Sequence, residues 1–180
     1  MTVKVSVVVG NPKPQSRTLK VATTLVDHLF EPGVAEVTVI DLADHQGEIF
    51  SWPSEKLGDL NAQVADSDLA VFASPTYKAS YTGLLKAFLD RYPANGLAGV
   101  VALPVLTGAD LTHSMGPTVN LAPLLAELGA IVPGRGFYFV ASQMDRLDEL
   151  VGAAAAEYRG NLARVAALAV HAARTEGAAR

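Results

Sequence analysis

The chain contains no cysteine. Disulfides, thiolate metal centres, iron–sulfur clusters and cysteine nucleophiles are thereby excluded together. It also lacks an excess of positive charge. Its 14 Lys and Arg stand against 18 Asp and Glu, a formal net charge of −4. A nucleic-acid binder needs a basic face, and this balance offers none. Long apolar runs are missing too. The longest nearly apolar stretch, 97–106, is too short to span a bilayer and is broken by Gly99 and Pro104. The opening stretch, Met1 to Val9, carries Lys4 and has neither a basic n-region nor a small-residue cleavage site, so no signal peptide is expected. These absences imply a soluble, cytoplasmic protein without nucleic-acid or membrane partners.

Catalytic side-chain constellations are equally scarce. His28, His45, His113 and His171 are scattered, match no metal-ligand spacing, and form no HExxH motif, so no metal is expected. There is no Gly-x-Ser-x-Gly nucleophile elbow. Gly134-Arg135-Gly136 lacks a third glycine and precedes a strand, which makes it a turn with a solvated Arg135. Asp41 and Asp44 read as a helix or turn cap rather than an acid/base pair.

What is present is a regular alternation. Half of the residues are hydrophobic and only 7% aromatic, which suits a packed interior built from Ala, Val and Leu. At 180 residues the chain fits one domain, 1–180, with a frayed tail over about 174–180. Val3–Val9 reads as a strand buried on both faces. Leu19, Ala22, Leu25, Val26 and Leu29 then recur at helical spacing until Pro32-Gly33. Val34–Ile40 is a second strand, followed by a polar loop holding Phe50 and Trp52. Ser54 caps a helix to about Asp66. Leu69–Ala73 is a third strand, and Thr82 precedes a helix through about Tyr92. Val100–Leu106 is a fourth, with a bulge or strand end expected at Pro104 because proline removes a ladder donor. A proline-bearing helix over roughly Leu111–Leu128, a fifth strand at Phe137–Ala141 and a helix from Arg146 to about Ala173 complete the pattern.

Five β-α repeats imply an α/β, three-layer α/β/α fold with a five-stranded parallel sheet. In the order 2-1-3-4-5 a ligand lies past strands one and three, where strand order reverses. The loops after Val9, Ala73 and Leu106 are therefore the ones to inspect.

The first loop runs Gly10-Asn11-Pro12-Lys13-Pro14-Gln15-Ser16-Arg17-Thr18. Gly10 allows a sharp exit from the strand, and Pro12 and Pro14 stiffen the chain. Ser16 is an N-cap candidate. A helix N-terminus offers free N–H groups and partial positive charge to a phosphate, and Asn11, Lys13, Ser16, Arg17 and Thr18 surround it. The Gly-Lys-Ser/Thr ending of a Walker loop and the Gly-x-Gly-x-x-Gly of a dinucleotide loop are both absent, so a monophosphate fits best. The same residues also suit an ordinary capped helix with solvated cations.

The second loop, from Ser74 to Lys86, is more specific. Pro75, Tyr77, Ser80, Thr82, Gly83, Leu85, Lys86 and Asp90 stand in an arrangement that resembles the NADPH-dependent FMN reductase family. Gly10, Ser16, Arg17 and Leu19 match that family's phosphate loop. The Tyr77-Lys78-Ala79 stretch and Leu103 to Gly108 most resemble the flavin reductases of two-component alkanesulfonate monooxygenase systems. The likeness covers about Val3 to Gln143.

The resemblance implies a flavodoxin-like, FMN-binding oxidoreductase that takes electrons from NADPH or NADH. It implies a flavin site of Asn11, Lys13, Ser16, Arg17 and Thr18 at the phosphate and Pro75, Thr76, Tyr77, Lys78, Thr107 and Gly108 around the ring, with His113 a further candidate. The amides of Thr76, Tyr77 and Lys78 would meet the polar edge of the isoalloxazine, and Tyr77 would pack on its face. No catalytic side chain is required, since the flavin carries the reaction. The resemblance further implies a homodimer or homotetramer, with Tyr81, Tyr92 and the fourth helix as contact candidates, and a flavin-dependent monooxygenase as an electron-accepting partner. In the sulfonate-system reductases an aromatic insertion aligns with Val119; Pro117 and Val119 set a different local helix here. Two other functions remain open at this stage. One is a tightly FMN-bound reductase of quinones, azo compounds or metal oxyanions. The other is a non-catalytic flavodoxin-type electron carrier or flavin sensor.

Overall fold

The computed structural model describes residues 2–177, with side chains to residue 169. Five parallel strands, β1 (Val3–Val9), β2 (Ala35–Asp41), β3 (Leu69–Pro75), β4 (Val101–Gly108) and β5 (Phe137–Val140), form one sheet in the order β2-β1-β3-β4-β5. Helices α1 (Arg17–Leu29) and α5 (Leu147–Gly177) cover one face; α2 (Glu55–Ala65), α3 (Gly83–Leu89) and α4 (Ala122–Glu127) cover the other.

The pleat sorts the side chains. Val5, Val7, Val9, Val71 and Val105 face Val21, Leu25 and Val151 of α1 and α5. Val8, Phe72 and Leu106 face Leu57, Leu85, Phe88 and Leu125 on the other side. Each fully buried aliphatic or aromatic side chain contributes about 1.5–3 kcal/mol. The nearly unbroken apolar reading of β1 and β3 follows from this double burial.

Ser16, Ser54 and Thr82 each accept a hydrogen bond from the amide three residues on, so the polar residues before α1, α2 and α3 are true N-caps. Asp41 caps a short 3-10 turn, Leu42–His45, by accepting from the Ala43 amide at 3.3 Å, as a cap reading of that carboxylate expects.

Several expectations change. Pro104 causes neither a bulge nor a strand end: β4 runs through it in unbroken register, Phe72 opposite Pro104. On its other side Ala102 donates to Ile131, and pairing with β5 starts only at Val105, so no ladder donor is needed at residue 104. The single helix over Leu111–Leu128 is instead a 3-10 turn (Leu111–His113), a π turn (Pro117–Leu121) and α4. Pro123 has no N–H for the carbonyl four residues back, and the Ala122 amide bonds Pro117 instead. α3 stops at Leu89, three residues short of Tyr92, ahead of Pro93. Arg135 is exposed but paired, gripping Glu157 through two hydrogen bonds of 3.2 and 3.1 Å. The tail expected over 174–180 is helical to Gly177, and 178–180 lie outside the described residues, as does the side chain of His171.

No helix is long and apolar enough to cross a membrane, and no group of three or more His, Asp or Glu gathers into a metal-binding cluster among the described residues.

Candidate functional site

At the carboxyl ends of β1, β3 and β4 a cleft of about 510 Å³ opens. That is where strand order reverses and an open α/β sheet binds its ligand. Its size lies within the range of cofactor pockets. Asn11, Lys13, Ser16, Arg17, Thr18, Pro75, Thr76, Tyr77, Thr107 and Gly108 all line it, as expected. Lys78 does not. His113 lines a neighbouring hollow of about 310 Å³, which shares Thr76, Gly108 and Ala109 with the cleft and adds Asp110, Thr112 and Tyr138.

The first loop is braced from outside. Gln15 adopts positive φ, and its amide donates to the Asp41 carboxylate at 3.3 Å. Gln46 donates to the Pro12 carbonyl at 2.8 Å and to that of Ala43 at 3.0 Å. Asn11 accepts from the Lys13 amide at 2.9 Å. These contacts set the loop so that the open end of α1 and the Lys13 and Arg17 cations converge on the cleft. Arg17 also donates to the Ala141 carbonyl at 3.2 Å, which ties the loop to the end of β5. Asp41 is the one buried carboxylate beside this cationic end, and burial holds its pKa above the usual carboxylate value.

Thr18 plays a different part from its neighbours. It is 1% exposed, and its hydroxyl is 2.8 Å from that of Thr107 and accepts from Asn11 at 3.2 Å. Its hydroxyl is thus used to join α1 to β4 rather than held open to a ligand. Gly10 keeps ordinary backbone angles; what requires it is close approach, since a Cβ there would lie 2.5 Å from Leu85 Cβ. Thr82 donates to the Gly10 carbonyl at 2.6 Å, and Ser74 accepts from the Thr82 amide at 2.9 Å. The first and second loops are stapled at that point.

The second loop is a tight hairpin. Tyr77 and Ser80 exchange backbone hydrogen bonds of 2.9 and 3.2 Å around Lys78 and Ala79, whose φ values are +51° and +69°. Two positive φ angles are the pattern of a type I′ turn, for which Lys-Ala is a costly choice beside Asn-Gly. Asn120 of the π turn braces the tip by donating to the Ala79 carbonyl at 2.9 Å. The Thr76 amide donates to Thr107 at 2.7 Å. Two of the three amides expected to face a ring edge are therefore committed to the fold. Tyr77 is half exposed, and its ring stands free at the cleft's rim.

On the β4 side Thr107 and Gly108 end the strand rather than form a loop. A Cβ on Gly108 would fall 1.8 Å from the Tyr138 hydroxyl, so the glycine admits that ring. Thr112 holds Asp110 below the usual carboxylate range. Tyr81 and Tyr92 pack against the core of their own chain, and Tyr92 stacks edge-on against Phe88 at 6.1 Å. Val119 is 56% exposed on the π turn.

Sequence reading missed Pro14, Gln15, Ala109 and Ala141 in the lining, and Asp41 and Gln46 as braces. Gln15 and Pro14 lay inside the inspected loop. Ala141 contributes a carbonyl, which no side chain announces.

Residues 3–145 match the model of the NADPH-dependent FMN reductase family. An FMN reductase (NADPH) of Pseudomonas putida is 30% identical over 138 residues, 75% of this chain and 70% of that one. The NADH-dependent FMN reductase SfnE of Pseudomonas putida is 30% identical over 159 residues, 86% and 84% of the two chains. The apo crystal structure of the NADH:FMN oxidoreductase EMOB is 30% identical and superposes with a TM-score of 0.77, covering 88% of this chain and 89% of that one. Other flavodoxin-like oxidoreductases share the fold at lower identity, among them a WrbA-like flavodoxin of Agrobacterium tumefaciens with a TM-score of 0.63. Cleft, connectivity and match over most of the length agree: this chain belongs to the NADPH-dependent FMN reductase family.

Proposed function

We infer that this protein is an NAD(P)H-dependent FMN reductase. The observation that carries the reading is the cleft itself, where the capped end of α1, Lys13 and Arg17 meet the Tyr77 hairpin and the end of β4. The donor set suits a phosphate monoester: free N–H groups of the first turn, the Ser16 hydroxyl and two cations.

The residues divide the work as follows. Ser16, Lys13 and Arg17 hold the FMN phosphate. Thr18 and Asn11 act behind them, fixing the loop against Thr107. Tyr77 would pack against the isoalloxazine, and Thr107 and Gly108 would line the cleft beside it. His113 sits further out, on the hollow next door, and Lys78 stays outside the lining. Bound FMN supplies the hydride acceptor for the reduced nicotinamide, so the chain contributes no nucleophile or base. The chain's task would be to orient the reduced nicotinamide against the bound flavin and keep water away.

The finer assignments belong to the same reading. The protein works in the cytoplasm as a homodimer or homotetramer, with 1–180 as one domain, and passes reduced flavin to a flavin-dependent monooxygenase. The names of relatives such as the NADH-dependent FMN reductase SfnE, in which FMN is what is reduced, support FMN as the substrate.

Purification followed by a visible spectrum and NADPH or NADH oxidation with and without added FMN tests the reading. Oxidation that requires free FMN is the expected result. Activity confined to copurified flavin would move the protein to a bound-flavin reductase, and no oxidation with either nucleotide would overturn it.

A further inference from the structure

A separate hollow, of about 350 Å³, lies between α2, the segment 91–96 that follows α3, and Trp52 of the loop before α2. It shares no lining residue with the flavin cleft. Its walls are largely apolar, built from Ala62 and Ala65, Tyr92, Pro93 and the Trp52 ring. Two polar side chains interrupt them. Asn61 is 8% exposed. Its Nδ2 donates to the Phe88 carbonyl at 3.3 Å, which fixes the amide's orientation, and its Oδ1 has no partner. Tyr92 holds the same residue by its backbone, donating its hydroxyl to the Asn61 carbonyl at 3.3 Å. Arg91 lies over the Trp52 ring at 4.3 Å and donates to the carbonyls of Ser51 at 3.0 Å and Ser54 at 3.5 Å. Its Nε–H, enclosed like the Asn61 oxygen, has no acceptor.

Buried polar atoms are nearly always bonded, and one left open costs stability. Here two of opposite kind, one acceptor and one donor, belong to residues lining a single apolar hollow. A bridging water would answer both atoms but leave the apolar walls uncovered. We propose that this hollow is a second binding site, for a small planar molecule that carries a carboxamide. The carboxamide oxygen accepts from Arg91 Nε, its N–H donates to Asn61 Oδ1, and the planar body lies against the Trp52 ring and the alanines of α2. A carboxylate lacks the donor that Asn61 requires, and a plain hydrocarbon leaves both atoms open, so the site discriminates by chemistry rather than by size. Trp52 is 66% exposed, so the guest enters by displacing the outer Trp52–Arg91 stack and not the core. The site is independent of FMN reduction.

Trp52 is the chain's only tryptophan, so its indole N–H gives a single signal in a proton–nitrogen correlation spectrum. Titrating the full chain with benzamide should shift that signal saturably, with a dissociation constant in the millimolar range. Acetophenone has the same shape and the same carbonyl, with a methyl group in place of the amide nitrogen. It should bind at least about fivefold more weakly. Asn61→Ala should abolish that preference, and Asn61→Asp, which keeps an acceptor, should restore it. Arg91→Met should weaken both probes alike, by about fivefold, and reads the donor side even where Asn61→Ala fails to fold. Asn61 and Arg91 lie outside the cleft, so FMN-dependent oxidation of NADPH should stay within about twofold of the unaltered protein in each variant. Absence of saturation, equal affinity for the two probes, or benzamide shifts centred on Tyr77 and Gly108 would overturn the proposal. So would a Trp52 signal that moves on dilution of the protein without probe, which would give the hollow to a second copy.

Discussion

Thr82 donates its hydroxyl to the carbonyl of Gly10 at 2.6 Å, across 72 positions of sequence. The same oxygen accepts from the Leu85 amide at 3.2 Å and so caps α3. One side chain thus closes a helix and locks the two loops that frame the cleft. Thr82→Ala removes both bonds and leaves a buried carbonyl unpaired, at a cost of about 2–3 kcal/mol. Thr82→Ser keeps the oxygen and should recover most of it. Urea unfolding midpoints of the two variants check this; equal losses would show that the hydroxyl is idle.

Ser16 and Arg17 are expected to separate stability from flavin affinity. Ser16→Ala loses the α1 cap and about 0.5–2 kcal/mol of stability. Arg17→Ala loses an exposed bond to Ala141 and less than about 1 kcal/mol. Together they should weaken FMN binding roughly 100-fold, read by quenching of flavin fluorescence. An unchanged dissociation constant would place the phosphate elsewhere.

Gly108→Ala forces a Cβ into the Tyr138 hydroxyl and should cost about 1–3 kcal/mol. Adding Tyr138→Phe removes the atom at 1.8 Å but leaves the ring carbon at 2.7 Å, so recovery should be partial. A double-mutant cycle in guanidinium chloride measures the coupling, and strict additivity would contradict the contact.

Asp41 makes a pH prediction. Burial raises its pKa in the folded chain above the unfolded value. The folded state therefore keeps its proton longer than the unfolded state, and stability falls as pH rises from about 3.8 through the raised value. Asp41→Asn does not titrate and lacks that fall. Unfolding free energies of both proteins between pH 3.5 and 7 should diverge in favour of the variant as pH rises; parallel curves would refute the shift.

Much of this was legible beforehand because it is written in side-chain type and period. The alternation of β-branched runs with helical spacing implied the parallel three-layer sheet, and Ser16, Ser54 and Thr82 announced their helices. What escaped was written in the backbone. The Thr76 amide is taken by Thr107, far away in sequence, the Tyr77 amide by Ser80 across a turn whose residue types do not announce it, and the donor-free side of Pro104 likewise depends on distant partners. Gln15, Lys78 and Ala79 at positive φ give no signal in residue type, since those side chains rarely adopt such angles. The π turn likewise escaped, because Pro117 and Pro123, which stand near the starts of the π turn and of α4, read in sequence as internal to one helix.

The proline in β4 has one more effect. On its β5 side the fourth strand has no strand partner between Val101, which bridges Ile131, and Val105, which pairs with Phe137, and only Phe137–Val140 fasten β5. The sheet is thus graded in permanence from its centre outward. Amides of β5 should exchange with deuterated solvent well before those of β1 and β3. The cleft, rooted mainly in the slow-exchanging middle, can stay rigid while the margin that carries Tyr138 breathes.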